Sequence, residues 1–463
     1  MMSRSQRRTL DASASPDRGT ARSSCLATDR RYSARANVSS LSFVSNVAAI
    51  TVMDRVPSND PAVTPAESVR VGYPAVIRLL LGGYLLVRSA GFAYPFLAYH
   101  VAQRGHAAGA VGLVLAVYGL GWAAGQLLSG WLIDRFGART TLMSTMSVAA
   151  VVLVLMAGAH TVPALLVAAM VAGLVSDAPR PVLGAAIAEM VPDPRQRAKL
   201  DSWRYGWSLN LGAAIAGGVG GLIAGWVGTP VLYWINGIAC ATFAMVAARW
   251  MPAQVHNTTR KAGYRQAFSD SRLLLMCMSS VATLTAVMGF FAAVPMLMRD
   301  CGLGAGAYGW VQMSNALAVI ALTPLLTPWL SRRLALGPGL DILAGAGVWV
   351  TLCMAAAGLV HTTAGFSAAV AVGAPGEIAW FVVGAGLVHR ITPRANGGVY
   401  QGIWSMTTAI SSVIAPLLTC WSLGHGGRAM VAVGTVAVGL LGAALCSPLA
   451  RVLAYTNEFP AES

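Results

Sequence analysis

Four charged residues stand where charge is hardest to keep. Arg88, Asp177, Arg180 and Glu377 each lie well inside a long apolar run. At the centre of a bilayer-spanning helix each costs at least about 2.5–3.5 kcal/mol, so such residues face a bundle interior or a watery cavity and pair with one another. Asp177 and Arg180, three positions apart, share a helix face and can neutralise each other. Arg88, Phe92 and Phe96 share a face of an earlier run. Burial raises the proton affinity of a carboxyl and a nearby guanidinium lowers it. A carboxylate that gains and loses an arginine partner can therefore take up and release a proton. The competing reading is a static ion pair that fixes helix packing. For Asp177–Arg180 the two readings stand level; for Glu377, which follows Pro375-Gly376, proton exchange is favoured.

The chain that must position these residues is 463 residues long, 56 % hydrophobic and only 11 % charged. A soluble globular protein carries about 25 % charged residues, so lipid is the expected solvent for most of this one. Cutting at polar, Pro and Gly clusters predicts spans near 75–98, 107–131, 141–159, 162–188, 206–226 and 230–250, then 273–297, 306–330, 339–360, 363–388, 402–423 and 428–450. Each is near the ~20 residues a membrane helix needs. The expected fold class is an all-α membrane protein of twelve transmembrane helices in two pseudo-symmetric six-helix bundles. The domains are a tail over 1–72, bundles over 73–251 and 273–452, a linker over 252–272 and a second tail over 453–463. Residues 1–52 are Arg- and Ser-rich without a secretory apolar core, and read as a disordered tail or as an upstream stretch ahead of a true start at Met53.

The net charge of +15 does not indicate nucleic acid, because no compact basic domain gathers it. The loops on one side hold Arg135, Arg139, Arg195, Arg197, Lys199, Arg204, Arg260, Lys261, Arg265, Arg272, Arg332, Arg333, Arg390 and Arg394. The other side offers Arg104, Arg299 and Arg428. By the positive-inside bias the rich side is cytoplasmic, with both termini there, in a plasma (inner) membrane. The cysteines show no CxxC spacing and support neither a disulfide framework nor a metal site. His100, His106, His160, His361 and His425 fall at outer loop ends and read as interfacial. Gly304-Ala305-Gly306-Ala307-Tyr308-Gly309 fits a dinucleotide fingerprint but follows no strand. No cofactor is expected, and no catalytic cluster of an enzyme appears.

Gly130-Trp131-Leu132-Ile133-Asp134-Arg135-Phe136-Gly137-Ala138-Arg139 follows the second span. It resembles the signature G-x-L-x-D-R-x-G-R-[RK] of the major facilitator superfamily, departing from it at Ala138, and the resemblance extends over all twelve spans. Gly130 and Gly137 would allow a tight turn, and Asp134 could accept backbone N–H bonds at a neighbouring helix start. The resemblance implies a gating loop that latches two halves during alternating access. Ala178-Pro179-Arg180-Pro181 and the stretch through Asn210-Leu211-Gly212 are similar to the fourth and fifth helices of the proton-driven drug-efflux branch, although the Pro expected near Gly217 is missing. Gly217, Gly221 and Gly225 repeat every four residues, as does the step from Gly212 to Ala216, which suits close helix packing. The Gly376-Glu377 step is similar to one in the tenth helix of some bacterial facilitators, and Pro375 and Gly376 would loosen that helix as at transporter sites.

These features imply a secondary transporter of small organic molecules, acting as a monomer by proton-coupled efflux. Arg88, Asp177, Arg180 and Glu377 would serve transport and coupling, and Phe92, Phe96, Trp122, Trp207, Asn210 and Trp380 would line the cavity. An importer of a sugar, amino acid or other metabolite is the alternative on the same fold. Its cavity would want several amides, and Asn210, Asn236, Gln312, Asn315 and Gln401 look too scattered to decide. A transporter-like membrane sensor is the alternative from another class.

Overall fold

The computed structural model describes residues 75–191, 196, 200, 203–252, 264–393 and 397–455, and every regular element among them is helical. Eight helices are long and apolar enough to cross a membrane. Two of these are pairs of spans that run on through a glycine. Helix α3 (Ala108–Gly158) contains the second and third spans and breaks at Gly137, whose φ of 78° and ψ of 162° belong to a region essentially reserved for glycine. The eleventh and twelfth spans divide in the same way at Gly427, with φ 62°.

The remaining spans follow in chain order. The first is itself interrupted: α1 (Ala75–Ser89) ends before Gly91 and Pro95, and the short α2 (Leu97–Ala102) resumes it. The fourth is α4 (Val162–Ser176) and α5 (Pro179–Met190), joined at Asp177 and Ala178. A π-helical turn, Trp203–Ser208, leads into α6 (Leu209–Trp226), the fifth span, and α7 (Thr229–Trp250) is the sixth. A short α8 (Tyr264–Ser269) precedes α9 (Ser271–Asp300), α10 (Ala305–Leu336), α11 (Leu340–Ala356) and α12 (Thr363–Ile391), the seventh to tenth spans. Then come α13 (Gly397–Ala444), holding the last two spans, and a terminal α14 (Cys446–Tyr455). The N-terminal tail and the linker segment 253–263 lie outside the described residues. The C-terminal tail is helical to Tyr455, and its remainder also lies outside them.

Arginine side chains close several helix ends, where the last carbonyls lack intrahelical partners. Arg104 donates to the carbonyls of His100 and Ala157, at the ends of spans one and three. Arg428 donates to those of Leu297 and Val360, at the ends of spans seven and nine. One device thus recurs with a six-span offset. On the Arg-rich face Arg139 reaches Ala248 O and Arg390 reaches Leu334 O. There, too, Asp270 caps α9 by accepting from Arg272 N at 3.0 Å, and it accepts from the Tyr400 hydroxyl at 2.9 Å. Burial alone would raise the Asp270 pKa, but the bonds from Arg272 and Tyr400 outweigh it and hold the carboxyl below its ordinary value.

Two loop assignments are corrected. His100 is not interfacial but fully buried, because α2 continues the first span; its ring nitrogens meet Thr229 Oγ1 and Met156 O, each at 3.0 Å. Arg204 is not a loop charge: it is buried in the π-helical turn and donates to Arg180 O at 3.2 Å.

The two halves meet toward the Arg-poor face. Tyr99 donates to Leu303 O at 3.1 Å, and Phe96 lies edge-on to Tyr308. Span five meets span eight through glycine: a Cβ placed on Gly221 would sit 2.6 Å from Gly309 Cα, and one on Gly217 would sit 2.7 Å from Gln312 Cβ. Gly225 is looser, 3.7 Å from Gly306 Cα. Span two meets span eleven in the same manner, with Gly119 against Ser412 and Gly112 against Cys420. These glycines therefore pack one half on the other, whereas Gly212 packs on Arg88 within the first half.

Candidate functional site

Two spans lose helical continuity beside their charged residues, and a third carries a proline beside its own. Arg88 sits in the last turn of α1, just ahead of the break; Asp177 and Arg180 flank the α4–α5 junction; Glu377 follows Pro375, which has no N–H to return to the preceding turn. All four charged side chains line one cavity between the halves, about 380 Å³ in volume. That volume lies within the roughly 300–1,000 Å³ usual for small-molecule sites.

Asp177 is the centre of the first half's polar cluster. Its Oδ1 lies 3.4 Å from Arg88 Nη1, and its Oδ2 lies 3.4 Å from Arg180 Nε. Oδ2 also accepts from Trp122 Nε1 and Gln126 Nε2, both at 3.0 Å. The carboxylate thus gathers three hydrogen bonds and a second arginine contact. Gly121, Gly125 and Gly173 make that possible, since a Cβ at any of them would strike backbone of the facing span, and so spans two and four touch closely enough for Trp122 and Gln126 to reach. Arg88 also lies over the Tyr84 ring, 5.7 Å from its centroid.

Glu377 has different surroundings. It accepts from Asn315 Nδ2 at 3.3 Å and has no ion pair among the described residues. Asn315 also donates to Val370 O, and Trp349 donates to Val372 O, so two neighbouring spans hold the helix around Pro375. The cavity charges are therefore distributed unequally. Two guanidinium groups share one carboxylate on the first half, and a single carboxylate faces them from the second.

Aromatic rings join the two sides. Tyr94 stacks on Tyr118 with centroids 5.0 Å apart and meets Phe291 at 5.5 Å. These three, with Phe290 and Phe381, line the cavity. Trp122 and Asn210 line it as the sequence leads one to expect, and Asn236, Gln312 and Asn315 converge there too. Phe92, Phe96 and Trp380 do not. Phe92 and Phe96 face Gly220 behind the first span, because the break after Ser89 turns the helical face they would have shared with Arg88, and Trp380 is buried against Trp404. The Trp207 side chain lies outside the described residues. Tyr94, Tyr118, Gln126, Phe290, Phe291 and Phe381 were not anticipated; Gln126 was within reach, four residues after Trp122 on one helix face.

The loop motif is rearranged as well. Gly137 holds the positive φ, while Gly130 is helical with open space around it, so only the former needs to be glycine. Asp134 is exposed and caps no helix among the described residues. Arg135 is exposed too, and Arg139 reaches Ala248 O.

Comparison with known proteins agrees with this architecture. The chain is 23 % identical over 269 residues to the inner membrane transport protein YajR of Escherichia coli (strain K12), a match covering 56 % of this chain and 57 % of that relative. Among solved structures, an auto-inhibited POT family peptide transporter superposes with a TM-score of 0.69 at 14 % identity, covering 82 % of this chain and 97 % of the other. The nucleoside transporter NupG superposes with a TM-score of 0.62 at 14 % identity, covering 84 % of this chain and 100 % of the other. At such identities the likeness shows the fold. The Major Facilitator Superfamily model matches residues 79–416, most of the helical region, and the chain belongs to that superfamily of membrane transporters.

Proposed function

We propose that this transporter exports small organic molecules in exchange for protons, with Glu377 as the coupling carboxylate. One observation carries the reading: the cavity between the halves holds two carboxylates in opposite situations. Asp177 is flanked by two guanidinium groups and accepts three hydrogen bonds, so it serves as a fixed anchor for Arg88 and Arg180. Glu377 has one amide donor and no cation partner among the described residues, which supports a visiting proton or ligand as the offset to its charge. The closure of the Arg-poor side by glycine contacts supports alternating access with that side shut. The arginine bias supports cytoplasmic termini and cytoplasmic exposure of the opposite side in a plasma (inner) membrane. The site is built within one chain, which supports a monomer.

Import of a metabolite is a second reading. It is favoured by the convergence of Asn210, Asn236, Gln312 and Asn315 on the cavity, and by neighbours of this fold that are peptide and nucleoside transporters. Proton flux in everted vesicles challenged with a substrate panel separates the two. Export by exchange alkalinises the lumen when substrate is added, and Glu377→Gln abolishes that signal. Acidification, or an undiminished signal in Glu377→Gln, rejects the exchange assignment.

A further inference from the structure

We propose that the Arg88 side of the cavity is an oxyanion subsite, so that the transported molecule is an organic anion with an apolar body. The inference deepens the transport reading and rests on it. Arg88 and Arg180 both flank Asp177, which also accepts from Trp122 and Gln126. Two guanidinium groups and one carboxylate therefore line this wall, in a low-dielectric setting where charges act strongly. Arg88 is the member that faces the space. It lines the cavity and gives Asp177 one contact at 3.4 Å, and its remaining N–H donors have no partner among the described residues. A guanidinium presents donors in a fixed fork that suits the paired oxygens of a carboxylate.

A second group on the same wall also lacks a partner. The Tyr94 hydroxyl is buried without a hydrogen bond among the described residues, although its ring is fixed between Tyr118 and Phe291. A buried hydroxyl left unsatisfied costs ~1–3 kcal/mol, which a ligand oxygen would recover. The rest of the lining suits an apolar body, with Val287, Met288, Phe290, Phe291 and Phe381 facing inward. A cationic ligand fits less well. An ammonium brings three donors, while Glu377 has one amide beside it and shares the lining with Val319, Val350, Met354 and Ile378. With a proton on Glu377, the four lining charges sum to plus one, the complement of a monoanion.

The test uses the purified full chain and four probes on one aromatic skeleton: phenylacetate, phenylacetamide, 2-phenylethylammonium and phenylalanine. Half-saturation of thermal stabilisation is measured for each at about pH 6, where a tenfold difference corresponds to about 1.4 kcal/mol. Phenylacetate is expected to act at a concentration at least about tenfold lower than the other three, and Arg88→Gln to erase that preference. Because Arg88→Gln strips Asp177 of a partner and can unfold the protein, Arg88→Lys is measured beside it and is expected to retain the anion preference. Preference for the ammonium or the zwitterion overturns the subsite, as does equal or absent stabilisation by all four. Glu377→Gln reports separately on coupling. It should leave the anion preference intact while flattening its pH dependence, so failure of the coupling assignment is distinguishable from failure of the subsite.

Discussion

The contact between Gly221 and Gly309 makes the alternating-access reading quantitative. Adding a methyl group at Gly221 places carbon 2.6 Å from Gly309 Cα and 3.2 Å from Gly306 O. Carbon atoms pack at ~3.5–4.0 Å, so the fifth and eighth spans must part by roughly 1 Å. Both obstacles are backbone and cannot rotate away. The strain arises where one half abuts the other, and opening the Arg-poor side relieves it. Overpacking of this kind costs ~1–3 kcal/mol. Borne by the closed state alone, it shifts the equilibrium toward opening by about 5–150-fold. Gly225→Ala is the matched control, since its methyl group would meet Gly306 Cα at an ordinary 3.7 Å. Cys420 supplies the readout: its thiol lies across the other half-to-half contact, donating to Ala108 O at 3.2 Å. Peptide-resolved maleimide labelling of Cys420 should accelerate by that factor in Gly221→Ala and remain unchanged in Gly225→Ala, with buried Cys446, away from the cavity, as the internal reference. Equal rates in wild type and Gly221→Ala, or equal acceleration in both variants, refute the assignment of this contact as the closure.

Three further outcomes follow from single sites. Asp177→Asn leaves two guanidinium groups without their carboxylate and should lower stability by ~3–5 kcal/mol in thermal or denaturant unfolding, whereas Glu377→Gln should unfold like wild type because it gives up one 3.3 Å bond from Asn315. Gly137→Ala should cost ~1–3 kcal/mol, because its φ of 78° excludes a side chain; Gly130→Ala, helical and unobstructed, should be neutral or stabilising by up to ~1 kcal/mol. Asp270→Asn keeps an N-cap acceptor but gives up the ion pair with Arg272, and should lose ~0–1 kcal/mol at neutral pH. Because the folded carboxyl titrates below its unfolded value of about 3.9, the stability it adds is present above that value and lost as pH falls through the folded pKa, so melting curves of the two proteins should converge in acid.

The parts legible in the sequence are those in which a residue's chemistry alone restricts its position. A charge inside an apolar run must find a cavity or a partner, so Arg88, Asp177, Arg180 and Glu377 could be named from type and depth. What lay beyond reach was rotation about helix axes. Phe92 and Phe96 share a face with Arg88 only if the first span is one continuous helix, and the break at Gly91 and Pro95 turns them away and brings Tyr94 to the cavity. The glycine repeat from Gly217 to Gly225 announced close packing, but periodicity says that a stripe exists and not what it meets; here it meets the other half. His100 looked interfacial because its distance from the start of its span ignored the extra helical turns of α2.

The coincidence of charge with broken helix has one physical cause. Within hydrocarbon each backbone N–H and C=O must be paired, so irregular backbone survives only where it is buried in protein or lines a wet cavity. The same restriction governs charged side chains. A cavity between two halves relaxes both restrictions at one depth, which is why the breaks beside Arg88 and at Asp177–Ala178 open on the same space as Glu377, two residues after Pro375. The polar side chains there also complete the backbone's hydrogen bonding: Asn315 serves Val370 O as well as Glu377, and Arg204 serves Arg180 O. Removing the Asn315 amide would therefore weaken the seat of Glu377 and the helix that carries it together. Asn315→Leu should impair proton coupling and stability at once, whereas Asn315→Gln, if it reaches Glu377 but no longer Val370 O, should separate them. Vesicle proton flux and thermal unfolding measured on the two variants decide it: coupling lost with full stability in Asn315→Leu would show that the amide serves the carboxylate alone.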